Sequence, residues 1–169
     1  MMKRLALIFS FISAFSFAQT DVEEQGQESF VSIDSSKNLM TYDLRGIYQL
    51  AEKKCSNTEG HQFNSAKINL GEENFKQDLK KRINQYLNND AYAANGPFYI
   101  DFLIDKDGKT TDIKVGPAIE NSKYFYDDLK SAAKKVKTNW TPANCDGQAI
   151  PSTVRVKLLF DSLVIDNSQ

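Results

Sequence analysis

Two segments of this chain alternate so strictly that they read as strands, and the fold has to be built around them. Between Phe98 and Ile104, the apolar residues Phe98, Ile100, Phe102 and Ile104 are separated by Tyr99, Asp101 and Leu103. In the segment Ser152 to Phe160, Val154, Val156, Leu158 and Phe160 alternate with Thr153, Arg155, Lys157 and Leu159. Successive strand side chains point to opposite faces, so each segment offers one apolar face. An apolar sheet face must be covered by a second layer.

Two amphipathic segments fit that need. From Glu72 to Leu87, helical spacing puts Phe75, Leu79, Ile83, Tyr86 and Leu87 on one face and Lys76, Lys80, Lys81 and Arg82 elsewhere. Glu72 and Glu73 open it, where acidic groups favour the helix dipole. Asn88-Asn89-Asp90 stops it, and Asn95-Gly96-Pro97 resets the chain. From Ser122 to Thr138, Phe125, Leu129, Ala132, Ala133 and Val136 form a second stripe, with Asn121 or Ser122 as the cap. Asp105-Lys106-Asp107-Gly108 reads as a turn in which Gly108 takes positive φ, and Lys109 to Val115 as the returning strand of a hairpin. The expected core has Ile100, Phe102, Ile104, Val154, Val156 and Leu158 facing Leu79, Ile83, Leu129, Ala133 and Val136.

The N-terminal third is less patterned. Lys3 and Arg4, an apolar run from Leu5 to Phe17, and Ala18 before Gln19 read as a secretory signal peptide, residues 1–18. The run is short against the ~20 residues that a membrane span needs, although an uncleaved inner-membrane anchor is the alternative. Residues 19–38 carry Asp21, Glu23, Glu24, Glu28 and Asp34 against Lys37 and read as a mobile acidic leader. Residues 39–71 read as an extension and a loop. Within it, Leu44, Ile47, Tyr48 and Ala51 fit helical spacing, yet Gly46 disfavours a helix and Ile47-Tyr48 suit a strand. Residues 72–165 read as the folded domain.

Charge excludes one class of partner. The chain has 21 Lys+Arg against 22 Asp+Glu. Cleavage after Ala18 would leave 19 cations against those 22 acids. A nucleic-acid binder needs a basic face. Cys55 and Cys145 are the two cysteines. In an exported chain an even count favours a disulfide, with two free thiols as the alternative.

The motifs that would carry chemistry are incomplete, and no cofactor is expected. His61 stands alone in a polar loop with no nucleophile beside it. Zinc binding by Cys55, Cys145 and His61 lacks ligand spacing. Asp105-Lys106-Asp107-Gly108 is similar to the middle of a calcium loop, but Leu103 and Lys114 stand where its end ligands belong. Trp140, the sole tryptophan, reads as a packing residue at a corner.

Tyr99 to Lys109, with Asp105, Asp107 and Gly108 in its turn, resembles the first hairpin of the TonB C-terminal-domain family, and Asp112 to Val115 continues it. Trp140, Pro142, Ala143, Gly147 and Pro151 are similar to that family's corner and its approach to the last strand. The helix from Glu72 also sits where Bacteroidetes-type members have a leading helix. The resemblance implies an α+β fold: a small antiparallel three-stranded sheet, made of the hairpin plus the C-terminal strand, with two helices on one face. It implies a non-catalytic periplasmic module that binds an envelope or outer-membrane protein, such as a TonB-dependent transporter, by pairing an extended segment with a sheet edge. Following the family's sheet order, that edge is Ser152, Thr153, Val154, Arg155, Val156, Lys157, Leu158, Leu159 and Phe160. The alternative is a structural or inhibitory accessory subunit that uses the same fold without strand addition; a second copy of the chain, in a homodimer, is a further candidate partner.

Overall fold

The computed structural model describes residues 28–33, 38–50, 55, 60, 62–88 and 91–164. The signal-peptide and anchor readings, leader residues 19–27 and His61 lie outside them. Among the described residues the chain forms ten strands and two helices. In order these are β1 Phe30–Ile33, β2 Asn38–Leu50, β3 Phe63–Asn64, β4 Lys67–Ile68, α1 Glu72–Tyr86, β5 Tyr92–Ile104 and β6 Thr110–Gly116. There follow α2 Lys123–Lys134, β7 Trp140–Thr141, β8 Ala143–Cys145, β9 Gln148–Ile150 and β10 Ser152–Val164.

The three-stranded sheet with two helices is therefore corrected. The described part of the chain is mostly sheet, and its main sheet has five strands. Its order is β1-β5-β10-β2, with β6 also paired to β5. All of its pairings are antiparallel. The two additional strands come from the N-terminal third. Phe30-Val31-Ser32-Ile33 sits inside the acidic leader and pairs with Tyr92–Asn95 of β5. β2 pairs with nearly the whole of β10, from Leu50↔Thr153 to Asn38↔Val164.

A bulge explains why β2 is ambiguous in sequence. Gly46 opposes Lys157 and Leu44 opposes Leu158, so Arg45 is one residue too many. The extra residue flips the alternation. Tyr42 and Leu44 face inward before it, opposite Phe160 and Leu158; Ile47 and Gln49 do so after it, opposite Val156 and Val154. The resulting spacing 44, 47 imitates a helical turn. The pair Gly96-Pro97 does not break β5 either. It falls between the end of β1, at Asn95, and the start of the β6 pairing, at Tyr99. A proline there costs no ladder bond on that side.

Both helices cover the inner face of the sheet. Phe75, Leu79 and Ile83 of α1 and Phe125, Leu129, Ala132 and Ala133 of α2 are buried. They meet Phe98, Ile100, Phe102, Ile104, Val154, Val156, Leu158 and Phe160 in one core, with Val136 only partly buried at its margin. Aromatic rings run through it edge to face: Trp140 on Phe75, Phe75 on Phe102, Phe125 on Phe98 and Phe160. Such contacts add about 0.5–1.5 kcal/mol per pair beyond burial. Tyr86, expected in the apolar stripe, is exposed. Ser122 does not cap α2 through its side chain; its hydroxyl donates to the Ile119 carbonyl.

Two small sheets, β3-β8-β9 and β4-β7, complete the described fold and carry the buried Trp140 and Ala143. Asp146 and Gly147 both have positive φ and form the two-residue turn between β8 and β9.

Candidate protein-binding site

The residues carrying the family resemblance come together, and they do structural work. The Asp105 carboxylate accepts from the backbone N–H groups of Asp107 and Lys109, which fixes the hairpin turn. Gly108 has φ of 77°, and a Cβ there would lie 2.1 Å from the Trp140 carbonyl oxygen. Only glycine meets both conditions. The Trp140 N–H donates to the Gly108 carbonyl, and its indole N–H donates to Thr110 Oγ1 at 3.0 Å. Pro142 packs beside Gly108, Ala143 is buried in β8, and Pro151 leads into β10. These residues clamp the β5–β6 hairpin to the corner before the last strand.

Cys55 and Cys145 are joined in a disulfide with Cα atoms 6.0 Å apart, across 90 residues. In the chain-entropy account, closing a loop of that length contributes about 4–5 kcal/mol. Oxidised sulfurs are not thiolate ligands, so the bond also removes both cysteines from any zinc site.

The expected binding edge is corrected. Residues Ser152 to Phe160 do not form an edge: they pair with β5 on one side and β2 on the other. Ser152, Val154, Val156, Leu158 and Phe160 are buried against the helices. Thr153, Arg155, Lys157 and Leu159 point to the opposite face, opposite Leu103, Asp101, Tyr99 and Pro97. On that outer face Arg155 forms a bidentate pair with Asp101, Nε to Oδ1 at 2.7 Å and Nη2 to Oδ2 at 2.8 Å. Asp101 is buried, and the bond it accepts raises the Arg155 pKa.

The free edges of the main sheet lie elsewhere. At one end of β2, the N–H of loop residue Ala66 donates to the Gln49 side chain. The Arg45 bulge and the Asp43–Arg45 pair further blunt β2, as bulges and charges do on natural edges. β6 pairs only with β5 among the described residues. Its register is regular from Asp112 to Gly116, opposite Leu103 to Tyr99. In an antiparallel edge strand, alternate residues direct both N–H and C=O outward.

A groove runs beside that edge. It has a volume of about 720 Å³, and Val115, Ile119 and Tyr126 give it an apolar lining. Lys114, Lys130 and Glu120 stand around it. One wall is β6 and the other is the start of α2. The Tyr126 hydroxyl donates to the Pro117 carbonyl and so ties the β6–α2 connection to the helix. Lys123 and Asp127 pair along α2, and Lys130 reaches Asp112 on β6 at 3.8 Å. The arrangement is a strand edge facing a helix across an apolar trough. The sequence hides it, because alternation reports which face a residue takes and not which strand lies at the border of the sheet. The usable signal was the short Thr110–Gly116 strand, ended by Pro117, ahead of an amphipathic helix.

Comparison of the chain with protein-family models finds no match, and comparisons with curated proteins and with solved structures find none either.

Proposed function

We propose that this chain is a non-catalytic protein-binding module of the bacterial periplasm that adds an extended segment of an envelope protein to the β6 edge. The observation that supports it best is the groove between that edge and α2. Main-chain bonds to β6 would supply affinity, and side chains entering the trough against Val115, Ile119 and Tyr126 would supply selectivity. The resemblance of residues 98–160 to the TonB C-terminal domain points to the same mode and to a transport protein of the outer membrane as partner. The strand addition proposed here uses a different edge from the one that the resemblance suggested.

One observation favours a second reading. β2 pairs with β10 over its whole length, so the chain itself already occupies the edge assigned from the resemblance. A structural or inhibitory accessory subunit would need no open template at all.

Proline substitution distinguishes the two. Of two adjacent β6 residues, Lys114 and Val115, one directs its N–H outward. Proline at that position leaves the β5 ladder intact and removes a bond to an added strand. The variant should stay folded and lose the envelope protein that the wild-type chain retains. Retention unchanged in both folded proline variants would reject strand addition at β6 and leave the accessory-subunit reading.

A further inference from the structure

The outer face of the sheet, away from the helices, carries a second constructed feature. One register row crosses four strands: Gly116 on β6, Tyr99 on β5, Lys157 on β10 and Gly46 on β2. Both glycines lie under a tyrosine ring. A Cβ at Gly116 would come within 2.4 Å of the Tyr99 ring, and one at Gly46 within 2.8 Å of the Tyr48 hydroxyl. The missing side chains let both rings lie down against the sheet. Each ring then carries a cation. The Arg155 guanidinium stands 3.7 Å from the Tyr99 centroid, and the Lys157 ammonium 4.9 Å from that of Tyr48.

These groups border two adjoining hollows that share Pro97 and Lys157. The larger, of about 390 Å³, has Tyr99, Pro117 and Arg155 in its wall. The smaller adds Arg45, Tyr48 and Leu159. Among the described residues no carboxylate lines either hollow, although Asp101 and Asp43 pair with Arg155 and Arg45 beside them. Asp101 holds Arg155 through Nε and one Nη2 hydrogen. A guanidinium has five N–H donors, so three remain beyond that pair. Aromatic faces and prolines line the rest.

We infer that this trough binds the acidic side chains of a polypeptide, with Arg155 and Lys157 taking carboxylates and Tyr48, Tyr99 and Pro97 packing against the aliphatic parts. Charge complementarity selects the occupant: Lys157 and the Arg155 donors left beyond Asp101 attract carboxylates, and apolar walls favour a side chain over a bare ion. The trough crosses three inter-strand spacings of about 4.8 Å, enough for roughly four residues of extended chain. The site is separate from the β6 groove and does not depend on strand addition there.

The probe is a blocked tetraglutamate peptide added to the isotope-labelled full chain, followed by amide chemical shifts. Tetraglutamine and inorganic phosphate are the comparison ligands. Tetraglutamate should shift Tyr48, Tyr99 and Lys157, and tetraglutamine should not. Binding should weaken as salt rises from about 50 to about 300 mM, because the cations are partly exposed. Lys157→Glu changes an exposed side chain, so the fold should survive, and affinity should fall by roughly tenfold or more. A proline in β6 should leave this response unchanged. Absence of shifts in the trough, equal affinity of Lys157→Glu, or phosphate shifting the same amides as strongly as tetraglutamate would each overturn the inference.

Discussion

At the residue scale, the Asp101–Arg155 pair is the most consequential polar interaction. Its two bonds join neighbouring strands on the sheet face away from the two described helices. Asp101 is 7% exposed, so it cannot fall back on water if its partner is lost. Removing one member of a buried pair costs about 3–5 kcal/mol; Arg155 keeps part of its surface in water, which lowers that figure. Arg155→Ala should therefore cost about 2–3 kcal/mol in denaturant unfolding, and Arg155→Ala with Asp101→Asn should recover part of the loss. A loss below about 0.5 kcal/mol for the single variant would show that solvent replaces the pair. Tyr92 makes a different prediction. Burial, then the bond its hydroxyl donates to Asp128, pushes its pKa up from the usual 10 to about 12. The unfolded chain therefore loses this proton first. The contribution is complete below pH 10 and is lost as pH rises through 12. Tyr42, also raised by burial, acts in the same direction. Unfolding free energies measured between pH 9 and 12 should fall less steeply in Tyr92→Phe than in the wild-type chain; equal slopes would contradict the assignment.

At the element scale, the Gly108–Trp140 contact decides how the hairpin meets the rest of the domain. A methyl group at Gly108 would strike backbone rather than a flexible side chain, and the positive φ adds strain. Gly108→Ala should cost about 2–4 kcal/mol, beyond the ~1 kcal/mol of an ordinary positive-φ substitution, because a backbone segment must move. Thermal unfolding of that variant checks it, and a shift of only one or two degrees would contradict the clamp. The elements also show what the sequence made legible. Strict alternation identified β10 and the second half of β5, and 3.6-residue periodicity identified α1 and α2, because each pattern is local. Core residues Ile100, Phe102, Val154, Val156, Leu79 and Leu129 followed from the same patterns and are buried. β1 was hidden because four residues among acids carry too little periodicity to register. β2 was hidden because its Arg45 bulge exchanged one alternation for another. Neither segment's partner is close in sequence, so nothing nearby could correct the reading.

At the scale of the whole molecule, the long return of β2 onto β10 changes the functional account. Two N-terminal strands widen the sheet to five, bury β10 between neighbours, and leave β6 with a free edge beside α2. The candidate site could not be read from the chain because edge or centre is a property of sheet order, and alternation reports only which face a residue takes. The charged residues Arg155 and Lys157 looked like edge protection; their observed setting is an ion pair and a cation–ring contact on the open face of a central strand. The central claim is therefore topological: β10 is interior and β6 is free. Residue-resolved amide hydrogen exchange on the folded chain tests it most directly. From Thr153 to Phe160 every amide should be protected, whereas from Asp112 to Gly116 slow and fast amides should alternate. Alternating exchange along Thr153–Phe160, with uniform protection of Asp112–Gly116, would place the open edge on β10 and contradict the account.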